Sequence, residues 1–164
     1  LREPLEGVRR AHFAMVKGGP LNPKEGSLLK KLGIKTVNFR YRPSGVITQG
    51  GAINLSLEDI KGKRALAVAG VANPESFFKT IEDAGVQAVK TIEYPDHHCY
   101  TDKDLEDIKE SSKGFDMIVT TEKDRVKLEG LSGGHIPFFA LAVDAVFDDE
   151  EGFFKKFILP SLAE

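Results

Sequence analysis

The chain has 164 residues, with 23 basic against 25 acidic side chains and a formal charge of −2 at pH 7. That balance argues against a protein that coats polyanions, so no nucleic-acid partner is expected. The one cysteine, Cys99, excludes an internal disulfide and a CxxC zinc site, and a lone thiol suits a reducing compartment. Apolar residues make up 41% of the chain, enough to fill a core in a domain that can bury about 70% of its unfolded surface. No stretch approaches the roughly 18 apolar residues of a membrane span, and there is no signal-peptide pattern. The sequence begins at Leu1 without an initiator methionine and reads as a piece of something longer.

In chain order, Leu5 and Val8 recur at helical spacing behind Pro4, which a first helical turn tolerates. His12 to Val16 then reads as a short strand. Gly18-Gly19-Pro20 and Asn22-Pro23 are turn chemistry. Thr36 to Arg42 alternates, with Val37, Phe39 and Tyr41 on one face and Thr36, Asn38 and Arg40 on the other. Arg42-Pro43-Ser44-Gly45 predicts a turn, and Val46-Ile47-Thr48 a returning strand. The expected product is a two-stranded ribbon within residues 35–55. It would act as a hinge between the tail of one domain (1–34) and a second domain (56–164).

From Ser56 onward the pattern alternates strand and helix, as in a parallel α/β domain. Ala65 to Ala69 is a continuous apolar run that suits a strand buried on both faces. Asn73-Pro74-Glu75 opens a helix with an N-cap and a first-turn proline; Phe77, Phe78 and Ile81 line its core side, and Gly85 ends it. Val86 to Ile92 is the next strand. Thr101 to Asp104 caps a helix carrying Leu105 and Ile108. Phe115 to Thr120 is a further strand, followed by a short helix opened by Thr121 to Asp124. Ile136 to Val143 is a late strand, and Phe153, Phe154, Phe157 and Ile158 share one face of a closing helix. The expected fold is a three-layer α/β domain with a mainly parallel sheet covered on both sides.

Ligands of open parallel sheets sit beyond the carboxyl ends of the strands. Three loops occupy that edge: Gly70 to Pro74, Tyr94 to Thr101, and Thr120 to Asp124. Tyr94-Pro95-Asp96-His97-His98-Cys99-Tyr100 carries the most chemistry. Asp96 could orient an imidazole that moves a proton near pH 7. The plainer account has Asp96 capping a turn and the tyrosines packing over the sheet edge. Metal binding by the adjacent histidines lacks a second ligand cluster, so no complete metal site is expected. Asp96-His97-His98-Cys99 also spells a membrane acyltransferase signature, but that class needs a cysteine-rich zinc module and membrane spans. Thr121 and Asp124 read as a helix cap by physics alone, and Arg2-Glu3 as a solvated helix start. No phosphate-cradling glycine loop is present, because Gly62-Lys63 is followed by Arg64 and lacks the upstream glycine.

Leu1-Arg2-Glu3-Pro4-Leu5, Arg9-Arg10-Ala11, Ala69 to Glu75 with Phe77-Phe78, Pro95 to Tyr100, and Thr120 to Asp124 with Val126-Lys127-Leu128 closely resemble, in order and spacing, the tetraacyldisaccharide 4'-kinase family of lipid A biosynthesis. The resemblance covers only the family's carboxy-terminal half. It implies two α/β domains joined by a two-stranded linker, the first carrying a P-loop. The reaction implied is transfer of the γ-phosphate of ATP to the 4'-hydroxyl of tetraacyldisaccharide 1-phosphate, at the cytoplasmic face of a Gram-negative inner membrane. ATP and Mg²⁺ would be bound mainly by the amino-terminal half, so this chain alone is expected to be inactive. Arg2 and Glu3 fall in the motif close to the phosphates and metal. His97 falls on the histidine that supports activation of the attacking hydroxyl, with Asp96 orienting it. Asn73, Thr121, Glu122 and Lys123 would line the cleft, whereas Cys99 is outside the required motif. Oligomeric state and acyl-chain preference stay open.

Two rivals come from other classes. A non-catalytic α/β module could hold a phosphorylated or acylated ligand at the same edge, and a P-loop encoded upstream would separate it from a kinase. A free-standing hydrolase using Asp96 and His97 lacks a convincing nucleophile. The Phe153, Phe154 and Phe157 face reads as core, although Lys155 and Lys156 beside it would suit a headgroup surface.

Overall fold

A computed structural model describes residues 5–48, 53–132, 136–153 and 155. Arg2, Glu3, Phe154, Phe157 and Ile158 lie outside the described residues. The chain forms two compact units, one of residues 1–42 with 145–164 and the other of residues 43–144.

The first unit begins with a 3₁₀ helix, Leu5–Arg10, and a strand, β1 (Phe13–Lys17). β1 pairs in parallel with the start of β2 (Lys35–Ile47), from Phe13 opposite Lys35 to Lys17 opposite Phe39. Between them runs α1 (Pro23–Lys31), where the sequence read only a turn at Asn22-Pro23. Asn22 accepts the Glu25 N–H at 3.0 Å and Pro23 occupies the first turn, so the same two residues start a helix instead of reversing the chain. Phe153, in the short helix α6 (Glu150–Phe153), meets Phe13 edge-on at 5.4 Å and stacks on Phe147 at 4.7 Å. It is 6% exposed, which makes it a core side chain of this unit.

The expected turn at Arg42-Pro43-Ser44-Gly45 is absent: β2 runs unbroken through it. The antiparallel partner is β3 (Ile53–Leu55), paired with Val46 and Ile47, and Val46-Ile47-Thr48 is not a returning strand. Proline's fixed φ is compatible with extended backbone. Pro43 lies beyond the β1 register and before that of β3, so neither of those two pairings needs the N–H it lacks, and β7 is the remaining neighbour of β2. Of the predicted apolar face, Val37 is buried and Phe39 half-buried. Tyr41 is exposed, with the Lys17 ammonium 4.6 Å from its ring centre.

The second unit is the α/β layer structure expected. A short capped helix, α2 (Leu57–Ile60), precedes β4 (Arg64–Ala69). Then follow α3 (Pro74–Asp83), β5 (Ala88–Glu93), α4 (Asp102–Ser111), β6 (Met117–Thr120), α5 (Glu122–Ser132) and β7 (Phe138–Phe147). β4 pairs in parallel with β5 on one side and β6 on the other, and β6 pairs in parallel with β7. Alternation along β4 sorts its side chains between two cores. Ala65, Ala67 and Ala69 pack with Ile60, Phe78 and Ile81 from α2 and α3. Leu66 and Val68 pack with Leu105, Ile108 and Leu128 from α4 and α5. Helices therefore cover both faces, which explains the continuous apolar run.

Candidate active site

From β4 the chain crosses through α3 to β5, and from β6 it crosses through α5 to β7 on the opposite side. The carboxyl ends of β4 and β6 thus flank a point where strand order reverses, the place where such sheets keep their ligand crevice. All three loops singled out from the sequence leave this edge.

Asp124 lies where β4 and β6 end. Its side chain is fully buried, and its Oδ2 accepts the Gly70 N–H at 2.9 Å and the Thr121 hydroxyl at 2.9 Å. The Thr121 oxygen in return accepts the Asp124 N–H at 3.1 Å, so the expected cap is present and also joins α5 to the end of β4. Gly70 lies close against this cluster: a Cβ there would come 3.0 Å from the Tyr100 hydroxyl and 3.4 Å from Asp124 Oδ1. Burial, with the Asp124 carboxylate beside it, drives the Tyr100 phenol well above its ordinary value.

The loop after β5 projects outward from this base. Asp96 Oδ1 accepts the His97 N–H at 3.0 Å, and Asp96 Oδ2 lies 3.6 Å from His97 Nε2. Lys123 Nζ donates to Asp96 Oδ1 at 3.4 Å. Burial raises the Asp96 pKa, but the His97 and Lys123 charges and hydrogen bonds outweigh it and hold the carboxyl below its ordinary value. His97 carries a left-handed φ of 63°, the one described non-glycine residue to do so, and its side chain is 68% exposed. Such a backbone costs about 1–3 kcal/mol and survives only where neighbours over-determine it.

His98 turns the other way. Its Nε2 lies 3.1 Å from Asp104 Oδ2, and its ring stacks on Tyr94 at 4.6 Å with Tyr100 edge-on at 5.1 Å. Burial, together with the Asp104 and Asp107 charges, pushes the Tyr94 phenol up to about 12. The adjacent histidines therefore separate: His98 is packed into the loop's support, and His97 is presented to solvent.

The structure thus brings Asp96, His97 and Lys123 together. Asn73 caps α3 by accepting the Ser76 N–H at 3.1 Å, Thr121 caps α5, and Glu122 is exposed in the first turn of α5. None of these three makes a hydrogen bond to Asp96 or His97 among the described residues. Arg2 and Glu3 lie outside them. No group of three or more His, Cys, Asp and Glu among the described residues could hold a metal ion. Sequence reasoning missed the burial of Asp124, the Lys127 Nζ donation to the His98 main-chain oxygen at 3.0 Å, and the His98–Asp104 pair. A signal existed for the first: Asp124 stands four residues before Leu128, placing a carboxylate on the helix face that faces the core. An open groove of about 540 Å³ runs beside the loop, lined by His97, His98, Cys99, Tyr100, Lys127, Gly130 and Leu131.

A parallel sheet covered on both faces, with a polar loop cluster where strand order reverses, defines an α/β module of the kind that keeps ligands at the carboxyl edge of its sheet. The chain belongs to the tetraacyldisaccharide-1-P 4'-kinase (LpxK) family, whose model matches residues 1–162, in agreement with the sequence resemblance. It is 33% identical to the tetraacyldisaccharide 4'-kinase of Syntrophus aciditrophicus, over 93% of the chain and 45% of that protein. It is 31% identical to that of Desulfatibacillum aliphaticivorans, over 93% of the chain and 44% of that protein. Among solved structures it is similar in fold to LpxK from Aquifex aeolicus in complex with ATP, with a TM-score of 0.59 and 22% identity over 94% of the chain and 44% of that one. The chain thus spans a little under half the length of these relatives. Among the described residues, no helix is long and apolar enough to cross a membrane.

Proposed function

We propose that this chain is the carboxy-terminal portion of a kinase that moves the γ-phosphate of ATP onto the 4'-hydroxyl of tetraacyldisaccharide 1-phosphate. The observation that carries the reading is the exposed His97, held by Asp96 at the carboxyl edge of a sheet belonging to this family. Residues 1–34 would be the end of a P-loop domain, 35–55 the linker, and 56–164 the carboxy-terminal α/β domain. The described residues contain neither a glycine loop for phosphates nor an acidic cluster for Mg²⁺. Nucleotide and metal would therefore be held chiefly by an amino-terminal half, with Arg2 and Glu3 near them, and this chain alone would lack activity. The substrate's acyl chains would bring the enzyme to the cytoplasmic face of the inner membrane as a peripheral protein.

Phosphoryl transfer needs positioning, neutralised charge and a destination for the hydroxyl proton. His97 supplies the last. Its imidazole takes the proton as the sugar oxygen bonds to phosphorus, and the Asp96 carboxylate aligns the ring and stabilises the imidazolium that forms. In the full-length protein, His97→Ala is expected to lower turnover by about 10²–10⁴-fold with KM for ATP little changed. Unaltered turnover would remove His97 from the mechanism.

A further inference from the structure

His97 sits in a strained backbone on an exposed loop, so something must hold it there. Helix α5 supplies two lysines four residues apart, which places Lys123 and Lys127 on one face. Lys123 Nζ donates to the side chain of Asp96, the residue before His97, at 3.4 Å. Lys127 Nζ donates to the main-chain oxygen of His98, the residue after it, at 3.0 Å. The same Lys127 ammonium lies 3.8 Å from Asp124 Oδ1, the free oxygen of the buried carboxylate that ties α5 to Gly70. It also stands 5.8 Å from the centre of the Tyr100 ring.

We infer that Lys123 and Lys127 form a clamp on the two neighbours of His97, anchored on the buried Asp124, and that Lys127 is a positioning residue for the proposed proton acceptor. The clamp explains why a carboxylate is buried at a helix start. Asp124 fixes α5 to the sheet edge and gives Lys127 a counter-charge. Lys127 can then spend a donor on a carbonyl instead of on a ligand. The exposed Asp96–His97 pair is too weakly held to set the loop by itself, because exposed ion pairs contribute little. Lys127, 34% exposed, is the better-buried of the two lysines and carries more of the restraint.

This inference rests on the proposed role of His97, and the experiment separates the two. In the full-length protein, Lys127→Met is expected to lower kcat by about 10- to 100-fold, as a misplaced catalytic group does, with KM for ATP within about twofold. Lys127→Arg, which keeps a donor at that reach, is expected to restore most of the rate. Because Lys127 acts through His97, the His97→Ala/Lys127→Met protein should be no slower than His97→Ala alone. Amide exchange at His97 and His98 should quicken in Lys127→Met while that of β4 stays unchanged. Wild-type kcat in Lys127→Met, failure of arginine to rescue, or a further loss in the double variant would overturn the clamp. If His97→Ala itself turns over normally, the catalytic reading fails, and amide exchange alone still decides whether the clamp holds the loop.

Discussion

Gly70→Ala is the sharpest test of how the loop cluster is packed. The added methyl would sit 3.0 Å from the Tyr100 hydroxyl, 3.4 Å from Asp124 Oδ1 and 3.5 Å from His98 Cβ. Tyr100 cannot simply swing away, because Tyr94 and His98 both stand edge-on to its ring at 5.1 Å. Overpacking of this kind costs about 1–3 kcal/mol, and the stiffer unfolded chain returns about 0.4–1 kcal/mol. The net loss, centred on about 1.3 kcal/mol, should lower Tm by about 3–5 °C in a chain of this size. Thermal unfolding followed by circular dichroism reads it directly. The second arm is Tyr100→Phe, which removes the atom that clashes. That hydroxyl has no hydrogen-bond partner among the described residues, so its loss alone should be close to neutral. Gly70→Ala/Tyr100→Phe should then recover most of the lost Tm. A Gly70→Ala protein that melts at or above wild type, or a double variant no better than the single, refutes the packing argument.

Two further outcomes concern the loop and its support. His97→Gly removes a left-handed strain of about 1–2 kcal/mol against a chain-entropy cost of about 0.5–1 kcal/mol. The protein should gain up to about 1.5 kcal/mol of stability while losing the proposed activity, and a lowered Tm would contradict the strain. At Asp104 burial raises the pKa, but hydrogen bonds from Thr101 and the approach of His98 outweigh it and hold the carboxyl below its ordinary 3.8. The stability it contributes is complete above that value and is lost as pH falls through the lower folded-state value. Tm should therefore fall more steeply below about pH 4 in wild type than in Asp104→Asn, and parallel curves would count against the pairing.

Much of the architecture was fixed by local sequence, because its causes act over a few residues. The apolar run of β4, the caps at Asn73 and Thr101, and the glycine at 85 each need only neighbouring groups to take effect. The Asn22-Pro23 pair and the Pro43 segment show the limit. Each fits two conformations equally well, and packing or strand pairing outside the segment selected a helix start in one case and a through-running strand in the other. The chemistry-bearing loop was also legible from residues 94–100, and the resemblance to the kinase family from that block in series with those at 1–11, 69–78 and 120–128. What the sequence could not decide was which histidine faces solvent, or that Asp124 is buried. Those depend on loops 27 to 54 residues apart meeting where β4 and β6 end. A charge on a helix looks solvated until the sheet edge, the Gly70 N–H and the Lys127 ammonium arrive around it, and only the tertiary fold brings them there.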